Sequence, residues 1–376
     1  MDGPSPSLPG WEGGPVDPIT WRRVAKTGLT AHNPDKACQG YTLYAPLNET
    51  NAVFLIDMDG NEMHRWDLGC QPGNYGYILP NGNLFVNAKV EDDLWNWTPT
   101  YSLFKGGALR EYDWDGNIVW EHLDLHHHHD GRRLAHGGAI YLSMEEMDAG
   151  LAAKVKGGGE PLDRMLADVV REVDADGNLL WEWHAAEHLD TEIDILPESC
   201  NRWEWTHLNA AFFLDDERVM MSSRQLSRIY IVEKSSGKVL ERFGPGPFFG
   251  QHDPHLLPNG NILVFDNGSY RTHGSGAIVH SRVLEFDMKT REVVWEYKDT
   301  PMYSFQSAFL SGAEILPNGN ILVAEGGRGR IFQITPEGEV VWEFINPYFD
   351  KNGVGWIWNC VQEAKFYTAD QLPNLG

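Results

Sequence analysis

Three histidine-bearing stretches set the chemical question. Residues 126–130 read HHHHD, residues 203–209 read WEWTHLN and residues 250–255 read GQHDPH. Imidazole moves protons near neutral pH, attacks electrophiles and binds metals. Two arginines follow, Arg224 in MSSRQ and Arg271 in FDNGSYR. A guanidinium is a forked donor suited to an oxyanion. Histidines and arginines at recurring places point to a site that handles an anion or a metal.

The elements that must position them form a repeat. One unit is a strand, a tight turn and a strand ending in an aromatic residue. It occurs at residues 54–66, 110–120, 171–181, 229–243, 284–295 and 331–342. The turn centres Gly60, Gly116, Gly177, Gly237, Thr290 and Gly338 recur at intervals of roughly 50–60 residues, in the range of propeller blades. A second hairpin unit falls between these copies, clearest in LPNGN at residues 79–83, 257–261 and 316–320. Asn-Gly and Asp-Gly between apolar runs are hairpin signals, and a type I′ turn is the expected form. Two hairpins per repeat give four strands. The fold class is therefore all-β: a six-bladed β-propeller of four-stranded antiparallel blades. The segment GYTLYAP (residues 40–46) is expected to close the ring by pairing with the C-terminal chain. The tryptophan ending most units reads as packing between blades.

The chain reads as a single domain over residues 1–376, with residues 1–37 as an N-terminal extension. Residues 145–170 interrupt the repeat. Leu162, Met165, Leu166 and Val169 have helical spacing, so the latter half is expected to be helical, as a lid or a surface excursion.

In a propeller the strand nearest the axis faces the central channel. The strand leading into each LPNG-type turn is expected to take that place. Blade one then offers Tyr75 and Tyr77, blade two His126 to His129 with Asp130, and blade three His207 and Asn209. Blade four offers His252 and His255, blade five Tyr303, Gln306 and Ser311, and blade six Trp356, Trp358 and Asn359. Alternation along a strand turns only half of the histidine run inward. His129, beside Asp130, is favoured by register with His252 and Asp253, and His128 is the fallback.

Composition narrows the partners. The net charge is −24 and 42% of the 376 residues are hydrophobic. Such acidity disfavours nucleic acid and anionic membranes. No apolar stretch approaches the ~20 residues of a membrane span. The start, MDGPSPSLPGWEGG, lacks the basic and apolar regions of a signal peptide. Cys38, Cys70, Cys200 and Cys360 are scattered without metal-site spacing. A cytoplasmic protein with reduced thiols and a small aromatic substrate is the expectation, with no nucleotide cofactor.

HHD at 128–130, WTHLNA at 205–210 with SSR at 222–224, and QHD with LPNGNILVFDNGSYR at 251–253 and 257–271 resemble the bacterial arylsulfate sulfotransferase family. The resemblance runs over residues 120–295. It implies transfer of a sulfuryl group from a phenolic sulfate to a phenol through a sulfated histidine, without a nucleotide donor. It also implies His207, His252 and Arg271 as the catalytic set that binds and polarises the sulfuryl oxygens. The family's nucleophilic histidine has no counterpart, because residues 321–334 carry Arg328 and Arg330 but no histidine. Around the catalytic set, His129, Asn209, Arg224, His255, Asn267, Tyr75, Gln306 and Trp358 are the expected substrate contacts. Two other readings stand beside this one. A divalent transition metal on His129, His207 and His252, with Asp130 or Asp253 behind them, would make a lyase or hydrolase. A propeller that only binds is the third.

Overall fold

The computed structural model describes residues 26–47, 50–98, 101–160, 163–271, 278–349 and 359–375. Six antiparallel sheets form the blades. Blade one comprises Pro72–Ile78, Leu84–Lys89, Gly107–Tyr112 and Ile118–Leu123. Blade two comprises His128–Arg133, Ala139–Glu146, Leu166–Val173 and Leu179–His184. Blade three comprises Leu208–Phe213, Arg218–Ser223, Arg228–Glu233 and Val239–Phe243. Blade four comprises His252–Leu256, Ile262–Asp266, Arg282–Asp287 and Glu292–Tyr297. Blade five comprises Gly312–Ile315, Ile321–Glu325, Arg330–Ile334 and Val340–Ile345. The first strand of each blade touches its counterparts in the two neighbouring blades, so the six inner strands ring the axis.

Blade six closes the ring as expected. Val361–Tyr367 is its inner strand and pairs with Tyr41–Pro46, with Tyr44 opposite Ala364. Ala52–Ile56 and Glu62–Asp67 complete it. Part of the N-terminal extension is also structured, since Gly28–His32 adds a fifth strand to blade five against Val340–Ile345.

The turns differ from the expected type I′ form. At LPNGN the amide of Gly82 donates to the Leu79 carbonyl at 2.8 Å, and Leu79 N donates to Asn83 O at 2.8 Å. Only the glycine of this loop is left-handed, with φ 84°. That is a three-residue-type hairpin with a glycine bulge. Pro80 pre-sets the first turn position, and the Asn81 side chain accepts from Asn83 N at 3.0 Å.

Residues 145–170 also depart from expectation. Leu166–Val173 is a strand, and the helical turn lies earlier, at Ala149–Ala152 with Asp148 as its cap. Residues Leu166, Ala167, Asp168, Val169 and Val170 are all buried, because both faces of this strand lie against neighbouring blades. A strand buried on both sides loses its alternation and can imitate helical spacing. Leu162 lies outside the described residues. Arg202 ties the insertion down, donating to Val155 O at 2.9 Å and to Ala152 O at 3.2 Å.

An apolar cluster fills each of the six junctions between blades. Over five of them a tryptophan indole donates to a carbonyl in a turn of the next blade. The pairs are Trp66 to Asp113 (3.0 Å), Trp120 to Ala175 (2.8 Å), Trp181 to Lys234 (2.9 Å), Trp295 to Pro336 (3.0 Å) and Trp342 to Met58 (2.8 Å). Blade three ends in Phe243, which has no such donor and packs on Phe286 of blade four at 5.7 Å. The repeated aromatic is thus an inter-blade fastener. Trp342 is fully buried whereas Trp295 is half-buried. Trp342→Ala is expected to destabilise the fold by about 3–5 kcal/mol, and Trp295→Ala by clearly less. Urea unfolding of both variants checks this, and equal losses would refute the fastener's dependence on burial.

Candidate active site

The loops where the inner strands begin surround a cavity of about 450 Å³. Its polar floor is His129, His207, His252, Arg224 and Glu204, and its apolar wall includes Leu103, Phe104, Tyr270, Phe309 and Leu310. Gln71, Lys89 and Lys105 form the side nearest blade one. The volume suits a substituted aromatic ring.

Irregular backbone turns the histidines inward. In blade two the ladder is broken after His128, which pairs with Leu142, and His129 is left-handed with φ 48°. In blade four it is broken after His252, which pairs with Phe265, and Asp253 has φ 50°. Pro254 has no N–H, so the ladder skips there. In blade three His207, with φ 48°, sits just before the first pair, Leu208 with Ser223. The register equivalent of His252 is therefore His128, not His129. His129 nevertheless lines the cavity and His128 does not.

The four-histidine run divides by environment. His126 is half-exposed beside Asp124 at 3.2 Å. His127 is buried with Nδ1 on the Leu142 carbonyl at 2.9 Å, and burial pulls it down to about 4. His128 Nε2 lies 3.2 Å from Ser143 O and 2.9 Å from Asp168 Oδ1, both acceptors. Its Nδ1 meets His129 Nδ1 at 2.7 Å. Nε2 of His128 faces these acceptors as donor, its Nδ1 is taken up with His129 Nδ1, and His129 presents Nε2 to the cavity. Asp168 also accepts from Leu208 N at 2.8 Å and from the Thr206 hydroxyl, so one buried carboxylate orders blades two and three together.

Hydrogen bonding also fixes the other two rings. Asn267 Nδ2 donates to the carbonyls of Ser307 (2.8 Å) and Leu310 (2.9 Å), so its Oδ1 is the acceptor for His252 Nδ1 at 2.8 Å. His252 therefore carries its proton on Nδ1 and offers the Nε2 lone pair. Burial first, then the charge of Arg224, brings His252 down to about 3. Burial and the neighbouring His207 likewise hold His129 well below the usual histidine range. His207 Nδ1 meets Glu204 Oε1 at 2.8 Å, and Gln225 Nε2 donates to the same oxygen at 2.6 Å. The rings of His129 and His207 stand 4.6 Å apart, and Phe104 packs 4.7 Å from each.

Arg224 is the cavity's guanidinium. Its Nη1 donates to the Tyr270 hydroxyl at 2.5 Å and Nη2 to Ala308 O at 3.4 Å. Its buried Nε–H has no partner among the described residues. An unpaired buried donor is costly unless something occupies it.

Arg271, expected in the catalytic set, does not line the cavity. It is paired with Asp266, which also takes Arg282 at 2.7 Å. That carboxylate absorbs the charge meant for a substrate. Asn267 acts on His252 rather than facing the cavity. Asn209 bridges to Gln251 O at 2.7 Å. His255 is drawn to Asp253 at 2.9 Å, within a buried charged group that includes Lys365 and Glu363, themselves 2.8 Å apart. Burial first and then the Asp253 charge push Glu363 up to about 8. The backbone N–H of Gln306 donates to Glu325 Oε1 at 3.0 Å, and Gln306 lies outside the lining. The side chain of Tyr75 and all of Trp358 lie outside the described parts. Among the described residues no group of three His, Cys, Asp or Glu side chains is placed to hold a metal. None of the described residues of the insertion lines the cavity. It packs on the segment that supplies Ser199, Cys200, Asn201 and Glu204. Sequence reasoning passed over Glu204, Tyr270, Phe104 and the two lysines. Glu204, three residues before His207, was the one with a readable signal.

The neutral histidines have a consequence for acid stability. His252 is depressed in the folded state, so below pH ~6.5 the unfolded chain takes up a proton that the folded chain refuses. Its share of stability is present above ~6.5 and falls at about 1.4 kcal/mol per pH unit down towards its folded value. His252→Gln is expected to flatten this acid limb. Urea midpoints at pH 7 and pH 5 test it, and an unchanged limb would mean that His252 is not held neutral.

Comparison with known proteins bears on the fold and the family. A solved structure of a protein of unknown function from Bacteroides caccae is similar at a TM-score of 0.53 and 11% identity, over 87% of this chain and 98% of its own. That likeness shows the fold alone. A streptogramin B lyase structure is similar over 91% of this chain and 93% of its own, at 11% identity and a TM-score of 0.46. No curated protein matches the chain. The family model for arylsulfotransferase (ASST) matches residues 107–347. That span is well over half of the 376 residues and contains His129, His207, His252 and Arg224, and the protein belongs to the arylsulfotransferase family.

Proposed function

We propose that the protein transfers a sulfuryl group between phenolic oxygens, with His252 Nε2 as nucleophile and Arg224 as the sulfuryl anchor. The observation that carries this is the locked tautomer of His252. Asn267 holds the proton on Nδ1 and leaves a buried, neutral Nε2 in the cavity. A neutral imidazole with a free lone pair is the reactive form for attack on sulfur.

The chemistry balances over two half-reactions. Nε2 of His252 bonds to the sulfur of an aryl sulfate as the sulfur–oxygen ester bond breaks. The departing phenolate takes a proton from His207 Nε2. An acceptor phenol then gives its proton back to His207 and attacks sulfur, and the nitrogen–sulfur bond breaks. Glu204 holds Nδ1 of His207 and leaves Nε2 as the nitrogen that carries this proton. The Arg224 Nε–H, without a partner among the described residues, donates to a sulfuryl oxygen throughout, and such a preorganised donor counts most where water is excluded. His129 packs against His207 and adds a further imidazole edge. This reading moves the anchoring arginine from Arg271 to Arg224 and the nucleophile to a blade-four histidine.

Turnover of 4-nitrophenyl sulfate with a phenol acceptor tests it. His207→Ala is expected to lower kcat by about 10²–10⁴-fold, the usual worth of a positioned acid–base group. His252→Ala and Arg224→Gln are expected to abolish measurable transfer, whereas Arg271→Gln leaves it near wild type. Loss on changing Arg271 with retention on changing Arg224 would overturn the assignment. Quenched samples analysed by peptide mass spectrometry are expected to carry the sulfuryl mass on the peptide containing His252. An active enzyme that never shows it would exclude the covalent step.

A further inference from the structure

The cavity is cationic in a strongly acidic chain. Lys89, Lys105 and Arg224 line it, and among the described residues Glu204 is its one lining carboxylate, engaged through Oε1 by His207 and Gln225. Two of the three cations have an evident task. Arg224 belongs to the sulfuryl end. Lys105 is buried and pairs with Asp92 at 3.2 Å and, more weakly, Glu91 at 3.9 Å. Lys89 is different. Among the described residues its hydrogen-bond partner is the neutral Gln71 amide, Oε1 at 3.2 Å, and no ion pair with it is seen. It is half-buried, at the end of the second strand of blade one, where Lys89 N bonds to Gln71 O at 2.9 Å.

Holding an ammonium half out of water without a counter-ion is costly. Burial is the main influence on Lys89 and pulls it below the usual lysine range. The nearby Lys105 adds to this and Glu91 opposes it. The Gln71 amide accepts from Lys89 through its oxygen, which leaves its NH₂ as a second donor at the same wall. The apolar side chains Leu103 and Phe104 line the same cavity, and Phe104 packs 4.7 Å from the rings of His129 and His207.

We infer that Lys89 and Gln71 form a subsite for a second anionic group, so that the preferred substrates are phenols or aryl sulfates bearing a ring carboxylate. This rests on the sulfuryl-transfer reading for the first group and adds the substrate class. The ring lies along the apolar wall, the phenolic oxygen meets the histidines and Arg224, and the carboxylate takes the charge-assisted bond from Lys89.

Calorimetric titration with 4-hydroxybenzoate and its methyl ester tests the subsite without any turnover. The wild type is expected to bind the acid about tenfold to a hundredfold more tightly than the ester, the worth of one charge-assisted bond. Lys89→Met is expected to erase that difference while keeping affinity for the ester and the thermal midpoint. Lys89→Arg is expected to retain most of it. Equal binding of acid and ester by the wild type, binding of neither, or an undiminished preference in Lys89→Met would overturn the inference. The turnover assay separates the two readings. Transfer from 4-nitrophenyl sulfate with no preference for the acid would sink the subsite and leave the reaction standing. Lys89-dependent binding of the acid with no aryl sulfate turnover would sink the reaction and leave the subsite.

Discussion

The break in the inner-strand ladder is the constraint on which the site depends. A regular inner strand would alternate its side chains between the two neighbouring blades, and no histidine would face along the axis. His129, His207 and Asp253 instead adopt left-handed backbone, at a cost of order 1–3 kcal/mol each for non-glycine residues. The surroundings hold them there. Asp168 and Asp130 of blade two accept from Leu208 N and Ala211 N of blade three, each at 2.8 Å. The His207 carbonyl accepts from Arg224 N at 3.0 Å, tying the strained residue to the guanidinium beside it. Gly131 is needed after the break in blade two, because a Cβ there would come within 2.4 Å of Leu109. Strain and anchoring are thus concentrated at the start of the strands that reach the axis.

Electrostatics then assigns the roles. Three imidazoles and a guanidinium share one enclosed space, and they cannot all be charged. Burial and the fixed charge of Arg224 keep His129 and His252 neutral. A buried carboxylate stands against His207 alone. Similar rings therefore become different reagents through what touches their far nitrogens: an amide oxygen for His252, another imidazole for His129 and a glutamate for His207. In blade five, where the family's nucleophilic histidine has no counterpart, Arg330 is taken up by Glu343 at 2.6 Å.

Much of the scaffold was legible because it is written in local signals. Turn glycines, terminal tryptophans and the pairing of residues 40–46 with the C-terminal chain all follow from short-range pattern, and the structure bears them out. The helical reading of residues 162–169 failed because a strand sandwiched between two blades has no polar face to reveal its period. His129 was picked for the right cavity by the wrong register, since a ladder break shifts the count by one residue and leaves no mark in the sequence. Both Arg224 and Arg271 follow a polar strand end, and the family resemblance put Arg271 in the catalytic set and left Arg224 as a substrate contact. Only the structure shows that Asp266, five residues earlier, neutralises Arg271. Lys89 was invisible for a related reason: what matters about it is the company it keeps around the cavity.

Ring closure through Val361–Tyr367 has a consequence for how the molecule is made. The strand Tyr41–Pro46 pairs with a partner some three hundred residues later in the chain. During synthesis every blade but the sixth can assemble in order, while that early strand waits with an unpaired edge, the kind of edge that recruits other chains. Long-range pairing of this sort also slows the last step of folding. Because Cys360 lines the cavity and stands next to the closing strand, the cavity is completed only at that final step. A nascent or partly opened chain therefore lacks the finished cavity as well as a protected edge.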